Sequence, residues 1–173
     1  MSCKWKQFAG FFLSCAVLIG LDQWTKALAV GHLKGQNPMV LLEGVFELTY
    51  LENRGAAFGL LQGRQGFFFL IASVVIAVAL FALWRMPAGK RFLPLYFSAI
   101  GVVAGAVGNM IDRTVQGYVV DFFYFRLINF PVFNVADCYV TVAAAALVFL
   151  LLFYYKESEL EPFSLKRKKG ESL

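Results

Sequence analysis

Four long apolar runs constrain what this chain can fold into more than any other feature of its sequence. They cover about residues 8–28, 66–85, 92–111 and 136–155, and each is close to the roughly 20 residues that a helix needs to cross a bilayer. Hydrophobic residues make up 60% of the 173 residues and charged residues only 16%, against about 45–50% and 25% in soluble domains. The sequence therefore predicts an all-α membrane protein with four transmembrane helices. It excludes a soluble enzyme, a disulfide-stapled secreted module and a disordered chain.

The first run could also be interpreted as a cleavable signal peptide, because Lys4 and Lys6 precede it. Its apolar residues continue past Cys15 to Leu21. That is longer than the hydrophobic part of a signal peptide, which spans roughly 7–15 residues. We therefore predict that this run stays in the protein as a membrane span.

Positive charge predicts the orientation of the spans. Of sixteen Lys and Arg residues, ten lie before the first span, between the second and third, or after the fourth: Lys4, Lys6, Arg85, Lys90, Arg91, Lys156, Lys166, Arg167, Lys168 and Lys169. Short cytoplasmic segments are enriched in basic residues. We therefore expect both termini in the cytoplasm and a charged tail over residues 156–173 that is disordered or bound at the membrane surface. This distribution accounts for the net charge of +5 without a nucleic-acid partner.

Residues 29–65 and 112–135 are then expected on the outer side of the membrane. Side chains from Phe46 to Leu51 alternate with the two-residue period of a β-strand. Residues 118–126 are also rich in β-forming side chains, and we expect the two segments to pair. Exposed strand edges are not tolerated in hydrocarbon. The sequence therefore predicts one membrane-embedded domain in which a small extracytoplasmic β-rich cradle lies at the outer interface.

Residues that bind metals or act as nucleophiles are scarce. The three cysteines, Cys3, Cys15 and Cys138, form no Cys-x-x-Cys pair, and His32 is the single histidine. A structural zinc site needs about four nitrogen or sulfur ligands, so we expect no metal. The same scarcity excludes a Cys–His or Ser–His catalytic pair unless His32 acts alone.

The acidic residues direct attention to the outer side instead. All four aspartates, Asp22, Asp112, Asp121 and Asp137, fall at the outward ends of predicted spans or in the outer loop between the third and fourth spans. Ionisable side chains at membrane depth are energetically costly and are functional candidates by default. Four of them at one depth predict a polar site there.

Helical spacing groups two of these aspartates with partners. Asp22 and Lys26 are four residues apart and share a helix face. They form either an ion pair that anchors the helix end or a support for the site. Asn109, Asp112 and Arg113 also share a face. We interpret Asp112 and Arg113 as a structural clamp, because a carboxylate held ionised by a guanidinium is a poor proton shuttle.

Asp121 and Asp137 differ, because neither has a basic residue within four positions. Two carboxyl groups brought close together in a low-dielectric site cannot both ionise. The ionised group can take a proton from water while the protonated group polarises a carbonyl. The intervening residues 122–136 are long enough to return the chain to the same depth. Asn134, three residues before Asp137, is either a helix N-cap or a substrate contact.

Two other classes of protein use such acidic residues. A small transporter or proton-coupled channel would relay protons through them, but it needs polar residues near mid-span. The second and third runs have almost none between Phe67 and Leu83 or between Phe92 and Val107. A structural scaffold would use the polar residues to join helices. In that case alanine at Asp121 would harm stability more than any activity.

Five short motifs follow one another along the chain. They are Asp22-Gln-Trp-Thr25-Lys26, Asn53-Arg-Gly55-Ala-Ala57-Phe58, Gly108-Asn109-Met-Ile-Asp112-Arg113, Val120-Asp121-Phe122 and Phe133-Asn134-Val-Ala136-Asp137. In these motifs and in their order, the sequence resembles the bacterial lipoprotein signal peptidase family, also called signal peptidase II, over nearly its whole length.

This resemblance implies an intramembrane aspartic endopeptidase of the bacterial cytoplasmic (inner) membrane. It would cleave a diacylglyceryl-modified prolipoprotein just before its lipidated cysteine, near the extracytoplasmic face and without a cofactor. By matching position, Asp121 and Asp137 are the catalytic pair. The substrate-binding or supporting residues are Asn53, Gly55, Asn109, Arg113, Asn134, Asp22 and Lys26. The resemblance also implies a mobile helical element within residues 29–65, and we expect the protein to be a monomer.

Overall fold

Four long helices form most of the structure, a computed structural model that describes residues 3–55 and 64–164. They are α1 (Cys3–Leu33), α2 (Gln65–Arg85), α3 (Leu93–Gln116) and α4 (Val135–Phe149). A 3-10 turn, Lys90–Phe92, leads into α3, and a π-helical turn, Leu150–Tyr154, extends α4. All four helices are long and apolar enough to cross a membrane. The predicted all-α membrane fold is therefore confirmed.

The helix α3 is the centre of the bundle, because it packs against each of the other three spans. Small residues permit this close approach. A Cβ atom built on Gly101 would lie 2.9 Å from the Cβ atom of Ala143, and one built on Gly105 would lie 2.6 Å from Val140 Cγ2. In lipid, where there is little hydrophobic force between helices, such close packing is what holds them together.

The helix α1 is longer than a bilayer requires. Its 31 residues extend about 46 Å at 1.5 Å per residue, whereas the hydrocarbon core is about 30 Å thick. Its last turns pack on the sheet, where Ala29 and Leu33 form a buried cluster with Val120 and Phe122. The first span therefore also supports the sheet.

Three antiparallel strands cap one end of the bundle, which we call the sheet end. They are β1 (Met39–Leu42), β2 (Phe46–Asn53) and β3 (Val119–Phe125), in the order β1-β2-β3. The predicted strands β2 and β3 and their pairing are confirmed. Sequence analysis missed β1, because its four residues are all apolar and all exposed and so show no two-residue period.

The chain turns back on itself between β3 and α4. The Phe123 amide donates to the carbonyl of Phe133 over 2.8 Å, and the Phe133 amide donates to the carbonyl of Phe123 over 3.0 Å. Asn129 adopts a left-handed conformation, with φ 48°, within this return. The segment thus brings Asn134, the N-cap of α4, beside the middle of β3.

The described start of the C-terminal tail is folded, so the expectation of a disordered segment is wrong for these residues. A short helix, α5 (Glu157–Leu160), is followed by a 3-10 turn, Glu161–Phe163. Glu159 accepts two hydrogen bonds from Arg91, of 2.7 and 3.0 Å. Phe92 packs against the aromatic rings of Tyr155 and Phe163. These contacts dock the segment on the start of α3.

We predict that Gly105→Ala lowers the stability of the protein by about 1–3 kcal/mol, the usual cost of overpacking a tight interface. The matched control is Gly20→Ala on α1, where a new Cβ atom would have no neighbour within 4 Å. The midpoint of thermal unfolding in detergent should fall for the first variant and stay or rise slightly for the second. Equal midpoints for the two variants would contradict the close α3–α4 packing.

Candidate active site

Asp121 is buried in the middle of β3, with 1% of its surface exposed. Its neighbours Val120 and Phe122 point to the other face of the strand, against α1. Leu51 of β2 lies opposite Asp121 in the register, which puts Asn53 on the same face as a diagonal neighbour. Asn53 Nδ2 donates to Asp121 Oδ2 over 2.8 Å, and Asn134 Nδ2 donates to Asp121 Oδ1 over 2.6 Å.

Asp137 lies in the first turn of α4, where it forms a capping box with Asn134. The Asp137 amide donates to Asn134 Oδ1 over 3.0 Å, and the Asn134 amide donates to Asp137 Oδ2 over 3.2 Å. The other oxygen, Asp137 Oδ1, accepts from Asn109 Nδ2 over 2.8 Å. Asn134 is therefore a helix cap that also contacts Asp121.

Two asparagine amides connect the two aspartates. Asn134 Nδ2, which donates to Asp121, also donates to Asn109 Oδ1 over 3.2 Å. The amide nitrogen of Asn109 in turn donates to Asp137. The structure thus brings both aspartates into one hydrogen-bonded network, where their carboxyl groups are connected through side-chain amides.

The network is anchored by a buried cation, Lys26, with 3% of its surface exposed. Its ammonium group lies 2.9 Å from Asp22 Oδ2 and 3.0 Å from Asp112 Oδ2, and it donates to Asn109 Oδ1 over 3.0 Å. The predicted Asp22–Lys26 ion pair is confirmed. The predicted Asp112–Arg113 clamp is wrong, because side chains of adjacent helix residues point apart and Asp112 pairs with Lys26.

The same two carboxylates fix the backbone beside each central aspartate. Asp22 Oδ1 accepts from the amide of Ala136, one residue before Asp137, over 2.9 Å. Asp112 Oδ2 accepts from the amide of Val120, one residue before Asp121, over 3.1 Å. The ion-paired cluster therefore sets the relative position of β3 and α4.

Arg113 connects α3 to the segment after β2. Its guanidinium donates to the carbonyl of Gly55 over 3.2 Å and to that of Asn109 over 3.4 Å. It also lies over the ring of Phe68, 4.5 Å from the centroid. The Gly55 amide donates to Asn53 Oδ1 over 2.9 Å, so this turn holds the Asn53 amide toward Asp121. The predicted helical element, as far as it falls on residues 56–63, lies outside the described residues.

Sequence reasoning quoted Gln23 and Gly108 only as parts of motifs and gave them no role. Gln23 Nε2 donates to Asp112 Oδ1 over 2.9 Å, to Asp22 Oδ2 over 3.2 Å and to the carbonyl of Gly108 over 3.3 Å. A Cβ atom on Gly108 would lie 2.6 Å from Asp22 Oδ2. Helical spacing could have placed Gln23 next to the Asp22 cluster. Nothing in the local sequence indicates that position 108 has to be glycine.

Two apolar grooves meet at Asp137, Arg113 and Thr141. One, of about 330 Å³, runs between α2, α3 and α4. The other, of about 470 Å³, passes Asn53, Gly55 and residues 130–133. An apolar chain lying across both would bring its backbone to the polar network. Among the described residues, no group of three or more His, Cys, Asp or Glu side chains is arranged to hold a metal.

Burial raises the pKa of Asp121 to about 7, with a further increase from the negative charge of Asp137. The amide donors of Asn53 and Asn134 and the charge of Lys26 act in the opposite direction. Asp121 therefore keeps its proton to a higher pH than an ordinary aspartate does, which suits a carboxyl group that donates and accepts a proton near neutral pH.

The fold and this site define a class, membrane enzymes with a polar centre at one end of four spanning helices. A solved structure described as a bacterial membrane enzyme superposes with a TM-score of 0.74 at 28% identity, covering 86% of this chain and 93% of that one. A second such structure gives a TM-score of 0.71, also at 28% identity, over 85% and 95% of the two chains.

The particular family follows from the sequence comparisons. The family model described as Signal peptidase (SPase) II matches residues 14–153, and the chain belongs to this family. A lipoprotein signal peptidase of Streptococcus thermophilus (strain CNRZ 1066) is 44% identical over 134 residues, 78% of this chain and 86% of the relative. One from Clostridioides difficile (strain 630) is 39% identical over 148 residues, 86% and 98% of the two chains. The predicted resemblance is confirmed.

We predict that Lys26→Met destabilises the protein by about 3–5 kcal/mol, because it leaves two buried carboxylates without their shared cation. The matched control is Lys34→Met, which breaks an ion pair with Glu52 in which 51% of the Lys34 side chain is exposed. Thermal unfolding in detergent should show a large fall in the midpoint for the first variant and little change for the second. A small fall in the midpoint for Lys26→Met would show that the ion-paired cluster does not anchor the site.

We also predict a pH-dependent effect of Asp121→Asn on stability. Unfolded aspartate has a pKa of about 3.9, so the folded protein, with this pKa raised to about 7, holds an extra proton between these values. The stability from this group is complete below about pH 4 and is lost as the pH rises through 7. The midpoint of the variant relative to the unsubstituted protein should therefore be higher at pH 8 than at pH 5, by the equivalent of at most about 3 kcal/mol, roughly two pKa units at 1.36 kcal/mol each.

The control for this measurement is Glu52→Gln, because Lys34 lowers the pKa of Glu52. Its midpoint relative to the unsubstituted protein should not rise with pH. A difference for Asp121→Asn that stays constant from pH 5 to pH 8 would show that Asp121 titrates normally.

Proposed function

We propose that this protein is an intramembrane aspartic endopeptidase that removes the signal peptide from lipid-modified prolipoproteins. The observation that carries the proposal is the pair of aspartates, Asp121 and Asp137, joined through two asparagine amides, with Asp137 lying where two apolar grooves meet. Relatives named lipoprotein signal peptidase support the choice of substrate. The proposed cleavage site is the peptide bond just before the lipidated cysteine of the precursor.

The two aspartates have unequal surroundings, which suits them to different roles. Asp137 lies at the start of α4 and accepts a backbone N–H there, and a helix N-terminus stabilises negative charge. Asp121 is a strand residue whose pKa burial raises to about 7. We therefore assign the carboxylate of the resting enzyme to Asp137 and the proton to Asp121.

In the proposed reaction, Asp137 accepts a proton from a water molecule as its oxygen attacks the scissile carbonyl carbon. Asp121 donates a hydrogen bond, and then its proton, to the carbonyl oxygen, so that a neutral tetrahedral diol forms. When the diol collapses, Asp137 returns its proton to the amide nitrogen, and the carbon–nitrogen bond breaks. Asp121 takes back a proton from one of the diol hydroxyls, whose oxygen becomes the carbonyl oxygen of the new acid, leaving one carboxylic acid, one amine and the original pair.

The grooves fit the two apolar parts of such a substrate. The groove between α2, α3 and α4 is open along the spans and suits the apolar helix of a signal peptide. The groove past residues 130–133 lies at the sheet end, where the lipid-bearing cysteine would follow the scissile bond. Backbone groups at this depth need hydrogen-bond partners, and the amide side chains of Asn53 and Asn109 line the grooves. Arg113, on both grooves, would balance the charge of the carboxylate.

We further propose that the protein lies in the bacterial inner membrane with both termini in the cytoplasm and the site near the outer face. The basic side chains of Lys6, Arg85 and Lys90 lie at the end of the bundle opposite the sheet, which agrees with the bias of cytoplasmic segments toward Lys and Arg. A bond at the end of an apolar signal helix would reach the sheet end, where water is accessible.

We predict that Asp121→Asn and Asp137→Asn each reduce cleavage of a lipidated precursor by at least roughly 10²–10⁴-fold, the usual contribution of a general acid or base. The matched control is Glu52→Gln, which neutralises a half-buried carboxylate on β2 and should cleave normally. Purified proteins in detergent should be compared by the appearance of the shortened product, with an unlipidated precursor alongside. Substantial turnover by either Asn variant would refute the catalytic pair.

A further inference from the structure

A third groove, separate from the two at the candidate active site, lies at the end of the bundle that is farthest from the aspartates. It has a volume of about 420 Å³ and is formed by the start of α1, the loop after α2 and the start of α3. This volume is within the roughly 300–1,000 Å³ of small-molecule sites. Its floor includes Met86, Phe92, Leu93 and Tyr96, and the hydroxyl of Tyr96 donates to the carbonyl of Gln7 over 3.0 Å, so α1 and α3 are fixed to each other here.

Two lysines, Lys6 and Lys90, stand on the rim of this groove, and no Asp or Glu lines it. Both are exposed, and no ion pair joins either of them to a carboxylate within residues 3–55 and 64–164. Two unpaired ammonium groups beside an apolar floor form a site that attracts an anion attached to an apolar chain.

Three other cations at this end already have partners. Lys4 donates to the carbonyl of Trp84 over 2.9 Å. Arg91 binds Glu159, and Arg85 lies over the rings of Phe81 and Trp84. Lys6 and Lys90, which have no such partner among the described residues, place two free charges at one groove.

The start of α3 adds to this attraction. Its leading 3-10 turn begins after Gly89, which has no side chain to cap it, and neither this turn nor the first turn of α3 carries an acidic residue. Helix N-termini present free amide groups and partial positive charge, and they bind phosphate when the geometry allows. Lys90, on the rim of the groove, belongs to this same turn.

We propose that this groove is a binding site for an anionic phospholipid. The phosphate would lie between Lys6, Lys90 and the uncapped start of α3, and one acyl chain would cover Met86, Leu93 and Tyr96. Basic pockets between spanning helices are known to hold anionic head groups. A bound lipid here would connect α1, α2 and α3 at the end of the bundle that has no sheet.

The test is lipid binding by the purified full-length protein in neutral detergent, measured by native mass spectrometry. Phosphatidylglycerol should bind more tightly than phosphatidylcholine with the same acyl chains. Lys6→Gln together with Lys90→Gln should weaken phosphatidylglycerol binding roughly thirtyfold, since each cation near a membrane surface contributes about a factor of five. Lys6→Arg together with Lys90→Arg keeps both charges and should bind normally.

The matched control removes the same amount of charge from the same end. Arg85→Gln together with Lys156→Gln alters two exposed cations that do not line the groove and should leave phosphatidylglycerol binding within a few-fold of normal. An equal loss of phosphatidylglycerol binding in both double variants would show that the lipid responds to the overall surface charge and not to this groove. Equal affinity for the two lipids, or full competition by soluble glycerol phosphate, would also overturn the proposal.

Discussion

The rest of the site depends on one buried interaction, the ammonium group of Lys26 between the carboxylates of Asp22 and Asp112. Burying one unpaired charge is prohibitively costly, but a compact cluster whose remaining oxygens bind backbone amides is tolerated. Because those amides belong to the residues just before Asp121 and Asp137, the cluster orients a strand and a helix at once. The carboxylates that pair with the buried cation therefore also fix the backbone positions next to Asp121 and Asp137 in the candidate active site.

Around this cluster, the carboxamide side chains of two asparagines connect hydrogen-bond donors to hydrogen-bond acceptors, which an acidic or a basic side chain alone could not do. Asn109 accepts from Lys26 and donates to Asp137, and Asn134 accepts from a backbone amide while donating to Asp121. An amide carries both a donor and an acceptor at a fixed spacing, so it joins groups of opposite character without adding charge. The aspartates are therefore held in place by side-chain amides that carry no charge.

Much of this architecture could be predicted from the sequence, because it depends on local signals. The length of the apolar runs predicted the four spans, two-residue alternation predicted β2, β-forming side chains predicted β3, and motif order indicated the family. The strand β1 was missed because exposed apolar residues on one short edge carry no period. Asp112 was paired with the wrong cation, since its partner Lys26 comes from another helix and only packing determines that contact. The catalytic assignment of Asp121 and Asp137 remains a prediction.

The origin of the parts of the site has a consequence for biosynthesis. The first span contributes Asp22 and Lys26, and the last contributes Asn134 and Asp137, so the network closes only across the whole length of the chain. A nascent polypeptide with three helices in the membrane lacks half of the acidic pair and the amide that joins it to the other half. With Asp121 and Asp137 as the proposed catalytic pair, the protein would have no hydrolytic activity until its final helix has been inserted.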